Sequence, residues 1–168
     1  LAGFVEGEGS FNVSLRRKAD YKVKWQAVMS FNVSQKDPTL LKILKKELGC
    51  GIIKIRKRDN LYSFDTTNPK DIIRKVIPYF QKYPVQSDSK KKNFAIFCKI
   101  AKLMEKGEHR NSAGLKLILE LREAINVGKG RTRKYDINDV FSKSGILRDY
   151  TSTSRSAGHD IVRPHKRL

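Results

Sequence analysis

Two glutamates alternate with glycines at the start of the chain, in residues 1–10 (LAGFVEGEGS). Gly3 and Gly7 are four residues apart, so in a helix they share one face, and small residues there let a second helix approach closely. Gly9 is suited to end such a helix in the left-handed conformation. Glu8 then lies at the helix C-terminus, where the negative end of the helix dipole disfavours a carboxylate. The pattern therefore predicts a cation near Glu8.

A second copy of the same helix would bring two Glu8 carboxylates together near a two-fold axis, with Ala2, Gly3 and Gly7 at the close contact. A divalent cation such as Mg²⁺ or Mn²⁺ resolves their repulsion, because it prefers oxygen ligands and completes its coordination with water and substrate phosphate. Such an ion over a nucleic-acid backbone polarises a phosphoryl oxygen and activates a water. Taken alone, the segment leaves an alternative open, an exposed helix end without a chemical role.

The charge of the chain indicates a polyanionic partner. Its 168 residues hold 36 Lys and Arg against 17 Asp and Glu, a net charge of +19. Nucleic acid is the leading candidate. Membrane binding is disfavoured, because no apolar run approaches the roughly 20 residues needed to span a bilayer. Cys50 and Cys98 form no Cys-x-x-Cys pair, which argues against a zinc site or a disulfide framework and favours a reducing, intracellular location.

Two periodicities predict the elements that position these residues. Alternation of apolar and polar residues predicts strands at 9–17, 24–32, 52–58 and 61–65, paired as two hairpins. Apolar residues at helical spacing predict helices at 38–48, 69–83, 90–106 and 113–127. Four antiparallel strands with helices on one face make an α+β domain over residues 1–127. Residues 128–168 are predicted to form a basic C-terminal extension, and a solvated tail without a special role is the alternative.

One face of the predicted sheet is polar and basic, and it supplies groups that read base edges and neutralise phosphate. The candidate DNA-binding residues on this face are Asn12, Ser14, Arg16, Lys24, Gln26, Ser30, Asn32, Lys54, Arg56, Arg58, Ser63 and Asp65. Asp65 is the only acid among them, whereas an ordinary solvated face mixes both signs. A ribbon of two strands fits a DNA major groove, and two ribbons side by side follow it further.

The segment LAGFVEGEG resembles the LAGLIDADG motif of homing endonucleases, and Ser10 and Phe11 continue it in the usual way. The order of helices and strands is also similar, over residues 1 to about 125. The resemblance implies the family fold, α-β-β-α-β-β-α, in which a saddle-shaped antiparallel sheet lies on DNA and the motif helices pack between two halves. It also implies that Glu8 is the metal ligand and that Glu6 is structural.

Two further active-site residues follow from the resemblance. The stretch NVSQK at the end of the second strand is similar to the one that supplies a water-positioning glutamine, which makes Gln35 the candidate. The segment SKKKNF is similar to the one that supplies a basic residue, with Lys90 preferred and Lys91 second. Another basic residue often follows the glutamine, and Lys36 is an uncertain substitute for it. Each of these lysines, taken singly, could instead be a phosphate contact.

The motif occurs once, so the resemblance implies a homodimer that cuts long, roughly palindromic double-stranded DNA with Mg²⁺ or Mn²⁺. The family is encoded in mobile introns or inteins, and the absence of protein-splicing flanks favours an intron. The compartment stays open between an organelle and a prokaryotic cytoplasm. One alternative is a maturase that binds intron RNA on the same fold. Another is a transcription regulator with an inactive core, although the acid it usually lacks is present here.

Overall fold

The computed structural model describes residues 1–127 and 133–141. Its first compact unit is Leu1–Lys134. Within the described part of this unit, one sheet has the strand order β1-β2-β4-β3, with every neighbouring pair antiparallel. The elements, in chain order, are α1 (Ala2–Glu8), β1 (Gly9–Arg17), β2 (Trp25–Gln35), α2 (Thr39–Leu48), β3 (Ile52–Arg56), β4 (Leu61–Thr66), α3 (Pro69–Asp71), a π-helical turn (Ile72–Val76), α4 (Ile77–Lys82), α5 (Asp88–Glu105), a 3₁₀ turn (Glu108–Arg110) and α6 (Ser112–Glu123). The predicted α+β class and the four-stranded antiparallel sheet are confirmed.

Alternation along the strands separates a buried face from a solvent face, as the sequence predicts. On β1 and β2, every second residue from Gly9 and from Trp25 is buried through Leu15 and Val33. Five phenylalanines fill the centre of the core, and each is at most 1% exposed: Phe11, Phe31, Phe64, Phe80 and Phe97. Because helices cover this face, the opposite face of the sheet is left for function.

Two predicted face positions lie in turns instead of strands. Lys24 has a left-handed φ of 57° and donates from Nζ to the carbonyl oxygen of Ala19, 2.7 Å away. This turn keeps Lys24 out of β2, which begins at Trp25. Arg58 follows the end of β3 at Arg56, because the hairpin turn is longer than the predicted Asp59-Asn60 pair. Both cations therefore flank the sheet face without belonging to it.

The helix predicted over 69–83 contains a π-helical turn that the periodicity did not predict. Pro78 has no N–H to donate and its ring clashes with the carbonyl four residues earlier. The register changes just before it, where the Ile77 N–H donates to the carbonyl oxygen of Ile72, five residues back. The extra residue preserves the apolar stripe, since Ile72, Val76 and Phe80 are all buried.

Some predicted helix details are wrong at the surface. The last long helix of the first unit ends at Glu123, not at 127, and Val127 is 80% exposed. Leu40 and Leu117 follow the apolar spacing of their predicted helices, yet they are 37% and 45% exposed, because the sheet and neighbouring helices cover only the opposite sides of α2 and α6.

The second compact unit is Tyr135–Leu168, and its described part contains one short helix, α7 (Ile137–Phe141). The predicted basic extension, residues 128–168, falls mostly outside the described residues, so its role stays a prediction.

Side chains cap the outer edge of β1, which pairs with β2 alone among the described strands. The backbone carbonyl oxygens of Gly9, Phe11 and Val13 accept hydrogen bonds along this edge. Their donors, in the same order, are Lys90 Nζ at 2.5 Å, Asn126 Nδ2 at 2.8 Å and Arg122 Nε at 2.9 Å. An edge strand covered in this way cannot recruit another strand. The edge also fixes α5 and α6 relative to the motif helix.

Candidate active site

Helix α1 leads directly into β1, so the motif places Glu8 where the helix meets the sheet. The Glu8 side chain is exposed, and no hydrogen bond or ion pair joins it to another side chain among the described residues. The predicted left-handed cap at Gly9 is wrong, since this residue is extended with φ −88° and ψ 150°. Its N–H still donates to the carbonyl oxygen of Val5. The motif therefore ends in a strand residue, and Glu8 projects from the junction.

Close packing, not backbone conformation, explains the glycine at position 9. A Cβ atom added there would lie 2.4 Å from Val5 Cγ1 and 2.7 Å from the Val5 carbonyl oxygen. Val5 is fully buried, so it has no room to move away.

Lys90 lies beside this junction. It is in the first turn of α5, is half-buried, and its Nζ is 2.5 Å from the carbonyl oxygen of Gly9. Lys91, the second candidate, is exposed, and no hydrogen bond or ion pair of its side chain is found among the described residues. The structure thus brings Lys90, and not Lys91, to the residue that follows Glu8.

Glu6 ties the motif helix to the start of α5. Its carboxylate accepts hydrogen bonds from the backbone N–H groups of Gln86 at 2.7 Å and Ser87 at 3.2 Å, and from the Ser87 hydroxyl. Ser87 is also the N-cap of α5 and accepts from the Lys90 N–H. The Ser87 hydroxyl, the backbone donors and the positive charge of Lys90 lower the pKa of Glu6. This carboxylate therefore joins α1 to the start of α5, and its structural role in the site stays a prediction.

Gln35 is the last residue of β2 and reaches the same end of the sheet. Gly9 pairs with Val33, so Gln35 lies two residues beyond the start of β1. Its Oε1 atom is buried and has no hydrogen-bond partner among the described residues. A buried amide oxygen without a partner is costly, and a bound water is the usual solution. This observation suits a residue that holds water.

The small-residue face of α1 is open in a single chain. Gly3 and Gly7 are exposed, and a Cβ atom added to either would meet no atom within 4 Å. Ala2 is partly exposed. Internal packing therefore gives no reason for glycine at positions 3 and 7, in contrast to position 9.

The outer face of the sheet carries ten of the twelve predicted DNA-binding residues, Lys24 and Arg58 being the exceptions. Cross-strand pairs place Asn12 beside Ser30 and Arg16 beside Gln26. A complete row across all four strands consists of Ser10, Asn32, Asp65 and Ile52.

Two acidic side chains on or next to the outer face of the sheet form ion pairs with its basic residues. Asp65 accepts from the Ser63 hydroxyl at 3.0 Å and lies 3.8 Å from Lys54 Nζ. Asp59, in the β3–β4 turn, lies 2.6 Å from the Arg56 guanidinium.

Several residues of the same face were not predicted. The register also places Ser10, Val28, Ser34, Ile52 and Leu61 on it. The alternation along each strand places these residues on the outer face. Val28, Ile52 and Leu61 were not predicted as DNA-binding residues because only polar residue types were considered. Arg122 was missed too, because a buried arginine inside an amphipathic helix carries no sequence signal for its contact with the β1 edge.

The donor atoms at the junction fit a hard cation whose coordination is only partly supplied by protein. Within residues 1–127 and 133–141, no group of three or more His, Cys, Asp or Glu residues is arranged to hold a metal ion. The exposed Glu8 carboxylate is an oxygen ligand of the type that Mg²⁺ prefers with water and phosphate. One such carboxylate would leave most coordination positions of the ion to other ligands, such as water and phosphate.

A sequence model described as LAGLIDADG endonuclease matches residues 1–101. The chain belongs to this family. "Probable intron-encoded endonuclease 2" of Neurospora crassa is 33% identical over 138 residues, which is 80% of this chain and 30% of the relative. "DNA endonuclease I-CvuI" of Chlorella vulgaris is 31% identical over 86 residues, 48% of this chain and 53% of the relative. The match covers only 25% of the length of "Probable intron-encoded endonuclease 3" of Neurospora crassa and 30% of the length of endonuclease 2, so this chain spans less than a third of these two relatives.

Solved structures show the same fold. The homing endonuclease I-TnaI has 33% identity and a TM-score of 0.70, over 76% of this chain and 86% of its own. The meganuclease I-SmaMI, bound to uncleavable DNA, has 35% identity and a TM-score of 0.71, over 77% of this chain and 44% of its own. The LAGLIDADG endonuclease fold implied by the sequence is confirmed. Among the described helices, none is long and apolar enough to cross a membrane.

Proposed function

We propose that this LAGLIDADG chain is an intron-encoded, site-specific endonuclease that hydrolyses double-stranded DNA with a divalent metal. The main support for this proposal is the arrangement at the α1–β1 junction. The Glu8 carboxylate is exposed there, and Lys90 Nζ donates to the carbonyl oxygen of Gly9, the next residue. I-SmaMI, with which this chain shares its fold, is described as bound to DNA, and in one case to an uncleaved target in the presence of calcium ions.

Each residue of the junction has a distinct role in this proposal. Glu8 would hold Mg²⁺ or Mn²⁺, which when bound would supply an activated water and stabilisation of charge on the phosphate. The buried amide oxygen of Gln35 orients a water toward the scissile phosphate. The Lys90 ammonium offers positive charge, and a proton to the leaving 3′ oxygen, at the edge of the same site. The outer sheet face holds the duplex in register.

A homodimer completes the site. The open face formed by Ala2, Gly3 and Gly7 allows a second α1 to approach closely, which brings two Glu8 carboxylates to one axis. The target is then long and roughly palindromic, because each protomer reads one half-site.

The maturase alternative is less favoured, because RNA binding does not require the intact set of Glu8, Gln35 and Lys90. Intron RNA is kept as a possible second ligand of the same basic surface. The names of the relatives fit an intron origin, and the compartment of this chain is left open.

The decisive variant is Glu8→Gln, which removes the metal-binding charge and preserves size. Targets are first selected with the wild-type protein from a random duplex pool, which reports activity, site length and symmetry together. We expect Glu8→Gln to bind the selected DNA with unchanged affinity and to lose Mg²⁺-dependent cleavage. Glu47→Gln, a change at an exposed glutamate of α2, is the control and should cut normally. Cleavage by Glu8→Gln at the wild-type rate would disprove the role of Glu8, whereas a wild-type protein that cuts no duplex in the pool would disprove the proposed function.

A further inference from the structure

One strongly exposed apolar side chain stands on the polar outer face of the sheet. Ile52, the first residue of β3, is 52% exposed. It pairs across the ladder with Asp65, and side chains alternate along strands, so it shares a face with Lys54 and Ser63. Val28 and Leu61 lie on this face as well, but they are only half-exposed.

The polar neighbours of Ile52 bond to one another. The Asp65 carboxylate accepts from Ser63 at 3.0 Å and lies 3.8 Å from Lys54 Nζ. Ile52 therefore offers an apolar contact beside a cluster of polar and charged groups. Single exposed apolar residues are common on proteins. This one gains significance from its place on the surface that is proposed to lie in the groove.

The major groove presents only one apolar group on its base edges, the 5-methyl group of thymine. A polar side chain cannot recognise this group, whereas an isoleucine packs against it and removes both surfaces from water. We propose that Ile52 reads a thymine methyl in each half-site of the target and is a specificity-determining residue. This inference rests on the proposed contact between the sheet and DNA, and it adds a base identity that the polar residues do not supply.

Strand β3 itself contains a matched control. Ile55 is of the same type and is 46% exposed, but it pairs with Tyr62 and lies on the opposite face of the sheet. A general effect of removing an exposed isoleucine from β3 will appear in both Ile52→Ala and Ile55→Ala. An effect of contact with the groove will appear only in Ile52→Ala.

The test removes the methyl group from the DNA. In the target selected with the wild-type protein, each thymine is replaced singly by deoxyuridine, which keeps base pairing and loses only the methyl. Binding is measured with Ca²⁺ in place of Mg²⁺. We expect the wild-type protein to lose about fourfold in affinity at one thymine per half-site, since burying one carbon group contributes about 0.8 kcal/mol. Ile52→Ala should bind the two duplexes equally at that position, and Ile55→Ala should behave as wild type.

Three results would overturn the inference. In the first, Ile52→Ala keeps the wild-type sensitivity to deoxyuridine at every position. In the second, Ile55→Ala removes it equally. In the third, the wild-type protein selects no preferred duplex, which would also disprove the proposed function. The first two would leave DNA cleavage intact, so the two failures are distinguishable. Thermal unfolding of both variants checks that each is folded.

Discussion

The ammonium nitrogen of Lys90 lies 2.5 Å from the backbone carbonyl oxygen of Gly9, although the two residues are 81 positions apart in the chain. The contact depends on α5 starting beside the motif helix, and Glu6 secures that start through Ser87. The two glutamates of the motif therefore have different tasks. Glu6 positions the helix that carries Lys90, and Glu8 faces solvent at the proposed site of chemistry.

The first prediction separates Lys90 from Lys91. We expect Lys90→Met to reduce the cleavage rate by about 10²-fold or more, as loss of a positioned charge or proton donor typically does. Lys91→Met should change the rate only slightly, because its side chain is exposed and away from Gly9. Single-turnover cleavage at saturating protein measures the rate, and an equilibrium binding assay shows that DNA affinity persists. Equal losses for the two variants would refute the assignment.

The second prediction concerns the stability contributed by Glu6. Its pKa is lowered from the ordinary value of 4.5, so its contribution is present above that value and disappears as the pH falls through the lowered pKa. Glu6→Gln should lower the free energy of unfolding by about 1 to 3 kcal/mol at neutral pH, the range for hydrogen bonds to a charged group.

Urea denaturation between pH 3 and 7 measures this difference, which should shrink at the acidic end because protonated Glu6 loses the same interaction. Glu120→Gln, at an exposed glutamate of α6, serves as the control and should match wild type throughout. A difference that is independent of pH would contradict the role of the charge.

The sequence alone predicted burial correctly where it depends on the local alternation of apolar and polar residues. Alternation in β1 and β2 placed Phe11, Phe31 and their neighbours inside, and the strand parity predicted the outer face except at Lys24 and Arg58, which lie in turns. It failed where the outcome depends on contacts distant in sequence. The buried Arg122 and the cap of the β1 edge require a folded partner strand, which no periodicity reveals.

The active-site residues show the same limit. Physical reasoning from the motif reached Glu8 alone, since a carboxylate at a helix C-terminus is locally anomalous. Gln35 and Lys90 came only from the family resemblance, and the choice between Lys90 and Lys91 needed the orientation of α5. Gly9 was assigned the wrong conformation, because a helix that runs directly into a strand needs no left-handed residue between them.

The third prediction contrasts Gly7, in α1, with Gly9, the first residue of β1. Gly9→Ala should destabilise the protein by about 1 to 3 kcal/mol through overpacking against Val5. Gly7→Ala adds a methyl group into open space and should stabilise the isolated protomer by about 1 kcal/mol through helix propensity. It should nevertheless weaken the proposed dimer. Denaturation at low concentration and analytical ultracentrifugation measure the two effects, and a Gly7→Ala dimer as tight as wild type would count against α1 as the interface.

The fourth prediction tests the sheet face as the surface that meets the phosphate backbone. Affinity for the selected duplex should fall about a thousandfold between 50 and 200 mM salt if six or more phosphates are neutralised. Lys54→Ala should reduce the slope of log affinity against log salt by about one, because one fewer counterion is released. Lys99→Ala, at an exposed position on α5, removes the same charge away from the sheet and should leave the slope unchanged. Equal effects of the two lysines would mean that net charge alone, and not this face, governs binding.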